Sequence, residues 1–345
     1  MRLARLLVLI ALLLAPLPAL ADARPIPIKV VVLTAFEVGA DTGDRPGEFQ
    51  AWVERYPLTE TMTVPGIVRP VRLSKDGVLG VVMGEWGRAR GSIASLVADP
   101  RFDLTKAYWI MAGIAGVDPR AGSIGSAAWA DWVVDGDPLF ELDDREAPAD
   151  WPWGLYAFGA DAPGKKGRAD DFSGMVWRLD PGLVRWAYGL TKDISLPDNP
   201  QLAADRAKFS TEAAAQTPPR VFVGTSLASV RFWHGYRRTE WARAWVKTWT
   251  DDQGTFAMSA GEEQAILDTL TVNAPGGRVD PRRVLVLRTA SNYTREGDGE
   301  PQPVRFAPGG AEAGFEAAWR VGSPVVRALV AGWPQYADHL PQAAP

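Results

Sequence analysis

Two adjacent carboxylates, Glu262-Glu263, stand near the start of a predicted helix. A carboxylate grips a vicinal diol well, because each oxygen accepts from one hydroxyl. The same pair would also serve simply to complement a helix dipole. Arg288-Thr-Ala-Ser291-Asn292 follows a strongly apolar segment. Asn292 offers a donor and an acceptor side by side, which suits one edge of a purine; an Asx turn would use the same residue. The run Phe232-Trp233-His234-Gly235-Tyr236 is flanked by Arg231, Arg237 and Arg238. Flat rings between a strand end and a helix start suit stacking on a heteroaromatic base, worth ~1–3 kcal/mol per base, although Phe and Trp more often fill a core. Gly113-Ile-Ala115-Gly116 would let a ligand approach backbone amides at the carboxyl end of a sheet. It is equally a tight turn, and it matches neither G-x-G-x-x-G nor a Walker motif. Gly84-Glu-Trp-Gly87, with Arg88, Arg90 and Ser92, leads into a helix whose N-terminus would hold an anion or a hydroxyl. The plainer alternative is an ordinary helix start with solvated arginines.

Composition narrows the chemistry. The chain has 345 residues, 47% hydrophobic and 23% charged, which is ordinary for a folded protein. Its net charge of −4 does not favour nucleic acid as a partner. There is no Cys, so disulfides, zinc-thiolate sites and a cysteine nucleophile are excluded. With only two His, His234 and His339, a multi-histidine metal centre is excluded as well. No metal and no cofactor is expected, and acid–base work falls mainly on carboxylates, Lys or Tyr. Fifteen Trp residues are an unusual number, and they need a structural or binding use.

The elements that must position these residues follow from hydrophobic patterning. Residues 1–21 read as a secretory signal peptide: Arg2 and Arg5, an apolar run from Leu6 to Ala15, and the cleavage box Ala19-Leu20-Ala21. An uncleaved membrane anchor is the alternative. No later stretch approaches the ~20 apolar residues that span a bilayer. Ile28–Thr34, Ala107–Ala112 and Arg283–Leu287 read as buried strands. A helix is predicted from Asp44, as N-cap, to Tyr56. Val68–Leu73 and Val78–Met83 read as a hairpin turning at Asp76-Gly77. A short helix is predicted at Gly91–Ala98. Ile124–Val134 reads as a strand with a bulge near Gly125. Residues 135–173 look irregular, a surface excursion whose Trp residues need cover. Helices are predicted at Gly174–Leu190, Gln201–Ala215, Thr239–Trp249, Ala260–Leu270 and Ala311–Val330, with a strand at Val221–Gly224. Strands alternate with helices, so the class is α/β around a central sheet.

These pieces occur in an order that resembles the purine nucleoside permease family, itself similar to the nucleoside phosphorylase fold. The resemblance spans essentially all of the mature chain. It is carried by Phe36-Glu37, Met62-Thr-Val-Pro-Gly66, Phe102-Asp103-Leu104 and Gly113-Ile-Ala-Gly-Val-Asp-Pro119. Ile124-Gly-Ser126, Asp143-Asp-Arg-Glu146, Phe232-Trp-His-Gly235 and Leu287-Arg-Thr-Ala-Ser-Asn292 continue it. It implies a single three-layer α/β/α domain over residues 22–345, with a central mixed, twisted sheet. It also implies that Gly113, Ala115 and Gly116 border base and sugar, and that Glu262 contacts the ribose hydroxyls. Ser291-Asn292 would read the purine edge, and Phe232 or Trp233 would stack on the base. Gly261 stands where that fold carries a Met, and Ala35-Phe-Glu-Val-Gly39 stands where phosphorylases carry Gly-Asp-Pro-x-Arg. The second departure speaks against phosphorolysis, unless Arg88 or Arg90 supplies the anion site.

The expectation is thus an exported nucleoside-binding protein, periplasmic or secreted, that serves purine nucleoside uptake. Its ligand would be a purine nucleoside; a membrane transporter and further copies of the chain are the protein partners compatible with this reading. The alternative is an enzyme that cleaves the N-glycosidic bond with phosphate or water. A structural, Trp-rich module is a third class, and the glycine segments after successive buried strands argue against it.

Overall fold

The computed structural model describes residues 24–167 and 174–343. The expected signal peptide lies outside the described residues. Strand β2 (Val30–Thr34) is fully buried, as its β-branched run predicts. It lies parallel to β5 (Val78–Val82) on one side and to β7 (Tyr108–Val117) on the other. Outside β5 come β4 (Val71–Leu73) and β3 (Glu60–Met62), both antiparallel, so the predicted hairpin forms. The short strands β1 (Ile26–Pro27) and β6 (Phe102–Asp103) pair apart from this sheet.

On the other side of β7 the architecture departs from the expected three-layer α/β/α sandwich with a twisted mixed sheet. β8 (Ala127–Asp135), β12 (Val221–Ala228), β13 (Phe256–Ala260) and β14 (Val284–Tyr293) close on β7 as a five-strand barrel. β14 makes the closure by pairing with β7 along its length and with β8 through Leu287–Thr289. The cause is strand length and bulging. β7 and β14 each run ten residues, twice the length of β2, so twist accumulates along them. The register shifts between Ala290 and Asn292 and again within β12, and bulges tighten the curl.

Several boundaries also move. Gly113–Gly116 is strand, not loop, and so is Arg288–Asn292. Val176–Arg178 forms β11, antiparallel to β8, where a helix was expected from Gly174. The helix there, α3 (Pro181–Thr191), begins behind Asp180, whose side chain accepts from the Leu183 N–H at 2.8 Å. The irregular 135–173 excursion contains a small hairpin, β9 (Leu139–Glu141) with β10 (Leu155–Ala157). The helix expected from Asp44 starts only at Gln50, as α1 (Gln50–Arg55). Asp44 instead accepts from the Ala40 N–H, and the Glu37 carboxylate holds the Gly47, Phe49 and Gln50 N–H groups.

The remaining helices are α2 (Arg88–Ala98), α4 (Pro200–Arg206), α5 (Tyr236–Trp249), α6 (Glu263–Asn273), α7 (Gly310–Ala331) and α8 (Trp333–Tyr336). Helix α7 packs on β7 and β14, and its Trp319 meets Trp52 of α1 edge-on at 5.2 Å. On α5, Trp241, Trp245 and Trp249 recur every four residues, and their rings touch successively at 5.6 and 5.7 Å. Trp233 extends this row at 5.6 Å from Trp241. Much of the Trp content therefore builds core.

Candidate functional site

β7 and β13 pair antiparallel only over two residues near their carboxyl ends, Met258 opposite Val117 and Ser259 opposite Gly116. A cavity with a volume of about 590 Å³ opens at that pairing, lined there by Gly116, Ser259 and Ala260. That size suits a small organic ligand. Its walls come from the segments after β2, β5, β12 and β13, from the ends of β7 and β14, and from residues 306–312.

A buried charge cluster forms the floor. The Arg288 Nε donates to Glu263 Oε1 at 2.7 Å, and Nη2 donates to Glu263 Oε2 at 2.8 Å. Nη2 also donates to Glu262 Oε2 at 2.7 Å, and Nη1 to the Ile114 carbonyl at 3.2 Å. Ser226 adds a hydroxyl bond to Glu263 at 2.8 Å. Burial opposes the Arg288 charge, but Glu263 and Glu262 outweigh it and hold the guanidinium above its ordinary range. Burial likewise pushes Glu263 up, and Arg288 outweighs it, so that carboxyl is held low. Glu263 is thus a partner of Arg288, while Glu262 reaches the cavity wall.

Glu262 has capacity to spare. Its Oε2 faces Arg288 and its Oε1 accepts from the Trp86 N–H at 3.1 Å. Each carboxylate oxygen can accept twice, so two hydroxyls can still be held. Ser291 and Asn292 line another part of the same wall. Ser291 Oγ donates to Asn292 Oδ1 at 3.0 Å, and Asn292 Nδ2 donates to the Tyr293 carbonyl at 2.8 Å. This orients the amide while leaving one N–H and one lone pair for a ligand. Asn292 lies within β14, so it is not an Asx turn.

Other expected residues are placed as follows. Ala115 and Gly116 line the cavity. Gly113 does not; a Cβ there would lie 2.6 Å from Glu48 Oε1 and 2.8 Å from Arg288 Nη1, so the glycine makes room for the cluster. Phe232 is 57% exposed at the rim, where Phe306 meets it at 6.0 Å. Trp233 reaches the cavity but is anchored on Trp241 and Phe256. Arg88, Arg90 and Ser92 are absent from the lining: Arg90 pairs with Asp268, and Ser92 donates to the Gly66 carbonyl at 3.4 Å. From that segment it is Glu85 and Trp86 that face the cavity.

Glu48 escaped the motif reading. It lies just before α1, and its carboxyl accepts from the Ala35 N–H at 2.6 Å and the Ile114 N–H at 2.7 Å while lining the cavity. Burial, reinforced by the Glu262 charge and opposed by Arg288, pushes it up to about 7. The signal available was its place after the first buried strand, behind Pro46-Gly47. A pH dependence follows. The folded value exceeds the ordinary 4.5, so the stabilising contribution is complete below pH 4.5 and is lost as pH rises through about 7. Chemical unfolding of wild type between pH 4.5 and 8 should therefore show about 3 kcal/mol more loss than Glu48→Gln. Asp135, likewise pushed up to about 7 by burial, contributes equally to both proteins. Parallel profiles would show that Glu48 is ionised throughout.

Comparison with known proteins gives a consistent picture. A sequence model of the purine nucleoside permease family matches residues 27–341. A purine nucleoside permease of Candida albicans is 27% identical over 307 residues, covering 83% of this chain and 73% of the relative. A probable purine nucleoside permease of Schizosaccharomyces pombe is 28% identical over 215 residues, covering 60% of this chain and 61% of the relative. Among solved structures, a 5'-methylthioadenosine/S-adenosylhomocysteine nucleosidase from Colwellia psychrerythraea, in complex with adenine, superimposes with a TM-score of 0.52. It is 16% identical and covers 88% of this chain and 95% of its own. Futalosine hydrolase of Helicobacter pylori gives 0.50 at 14% identity, covering 88% and 97%. These two establish a shared fold.

Proposed function

This chain belongs to the purine nucleoside permease family, and from that premise we propose that its cavity captures a purine nucleoside and serves nucleoside uptake. One observation carries this reading: a carboxylate with free lone pairs, Glu262, and an oriented amide, Asn292, line one cavity of fitting volume. Glu262 would take the ribose hydroxyls and Asn292 the purine edge. The nucleosidase that holds adenine in the same fold supports the base assignment. In this reading residues 1–21 are cleaved, residues 22–345 form one exported domain, and ligand passes to a transporter in the membrane. Among the described residues no helix is long and apolar enough to cross a membrane.

A second reading, cleavage of the N-glycosidic bond, is favoured by Glu48. A buried carboxyl near neutrality on the cavity wall is suited to proton transfer. Against its phosphorolytic form stands Ala35-Phe-Glu-Val-Gly39 in place of Gly-Asp-Pro-x-Arg, with Arg88 and Arg90 absent from the cavity lining.

Binding is tested by calorimetric titration with inosine and uridine. Wild type should prefer inosine. Asn292→Ala should lower the inosine-to-uridine affinity ratio about tenfold, the effect of one unmatched polar edge. An unchanged ratio would remove Asn292 from the binding site. No saturable inosine binding by wild type would refute the reading itself.

A further inference from the structure

Trp86 is unusual in three independent ways. Its φ is +50°, in the left-handed region that side chains other than Gly rarely adopt. The residue is 45% exposed, although it belongs to the wall of the cavity. Its backbone N–H is the donor that faces Glu262 Oε1, at 3.1 Å. Such backbone strain persists where the surroundings impose it, and here no deep apolar burial offsets it.

Gly261 explains where the ring sits. A Cβ at 261 would lie 2.7 Å from Trp86 Cδ1 and 3.2 Å from Nε1. The pyrrole edge of the indole therefore occupies the space that a side chain at 261 would fill. That space is next to Glu262, the carboxylate proposed to hold a diol. One residue thus supplies two things at one spot: an N–H that fixes the carboxylate and an aromatic surface beside it. Ribose presents the matching pair, hydroxyls on one side and a C–H face on another. Aromatic rings favour such C–H faces, because the ring face is negative and the hydrogens are weakly positive.

We propose that Trp86 is the sugar-specificity residue of this cavity, packing its indole on the ribose while its N–H aims Glu262. The assignment rests on the nucleoside reading and refines it. It makes the protein select a nucleoside over a free base through this segment, and it makes Gly261 part of the same device.

The test is calorimetric titration of the full chain with inosine and with hypoxanthine. Trp86→Ala should weaken inosine about tenfold or more, the loss expected for an aromatic platform, and leave hypoxanthine within about twofold. Trp86→Phe should recover part of the inosine affinity. Gly261→Ala, which keeps the indole but displaces it, should reproduce the selective loss. The melting temperature of Trp86→Ala should change little, because Ala carries the same Cβ at this left-handed φ and the residue is 45% exposed, so little buried surface is lost. Equal weakening of both ligands, or unchanged inosine affinity in Trp86→Ala, would overturn the assignment while leaving the nucleoside reading intact. Failure of wild type to bind inosine would overturn both.

Discussion

Arg288→Met should destabilise the protein by about 3–5 kcal/mol, the usual effect of removing one partner from a buried ion cluster. Arg288 is 1% exposed, and Glu263 and Glu262 both take its hydrogen bonds. Methionine approximates the apolar stem and removes the guanidinium. Glu263, fully buried, would then lack its counter-charge and both hydrogen bonds from the guanidinium, keeping those from the Ser226 hydroxyl and the Glu262 N–H. The loss should shrink on acidification, because protonating Glu263 removes the uncompensated buried charge. Arg288→Met combined with Glu263→Gln should recover part of the stability at pH 7, for the same reason. Urea unfolding of the variants at pH 5 and pH 7 measures this directly. A loss below about 1 kcal/mol at pH 7, typical of an exposed pair, would contradict the role given to the cluster.

Glu262→Ala should have the largest effect on ligand binding. Charge-assisted hydrogen bonds contribute ~1.5–3 kcal/mol, so inosine affinity should fall roughly 10- to 150-fold. Hypoxanthine has no ribose and should weaken less than about threefold. Arg288 keeps its two bonds to Glu263 in the variant, which limits collateral damage to the floor. Equal weakening of both ligands would show that Glu262 acts only through the shape of the cavity. No weakening would make it a helix-start charge.

The legible part of this molecule is local. Ile28–Thr34 is apolar and β-branched, and β2 lies where that run predicts. The Gly174–Leu190 pattern predicts one helix, whereas the helix begins only at Pro181, behind the Asp180 cap. Val176 and Trp177 pair with Val134 and Val133 of β8, a partner far away in the sequence that only the tertiary fold brings alongside. Strands β7 and β14 were read short for a linked reason. Gly113 looks like a strand end because glycine weakens strands, and Arg288 looks like one because it is charged. Each is there because of the other: Gly113 has no side chain where Arg288 and Glu48 need the space. That pairing crosses two strands far apart in sequence, and no periodicity exposes it.

The candidate site shows the same division. Glu262, Ser291 and Asn292 stood out because their types match hydroxyls and a purine edge, and the structure brings them to one cavity. Glu48 belongs to no motif, and Trp86 lies inside Gly84-Glu-Trp-Gly87, a segment conspicuous for its glycines and arginines and not for its ring. Glu48 is held by main-chain N–H groups from β7 and the end of β2, and Trp86 by a carboxylate from the segment before α6. Their roles arise from tertiary contacts alone. The arginines beside Trp86 were conspicuous for their charge, yet Arg90 pairs with α6 and away from the cavity.

The most direct test is to incubate the purified full chain with inosine, with and without phosphate, and to measure bound nucleoside and free base in the same samples. The expected result is saturable binding of about one inosine per chain, unaffected by phosphate, with the nucleoside recovered intact. Hypoxanthine accumulating in molar excess over the protein would contradict capture and establish cleavage: by water if phosphate makes no difference, by phosphate if it is required.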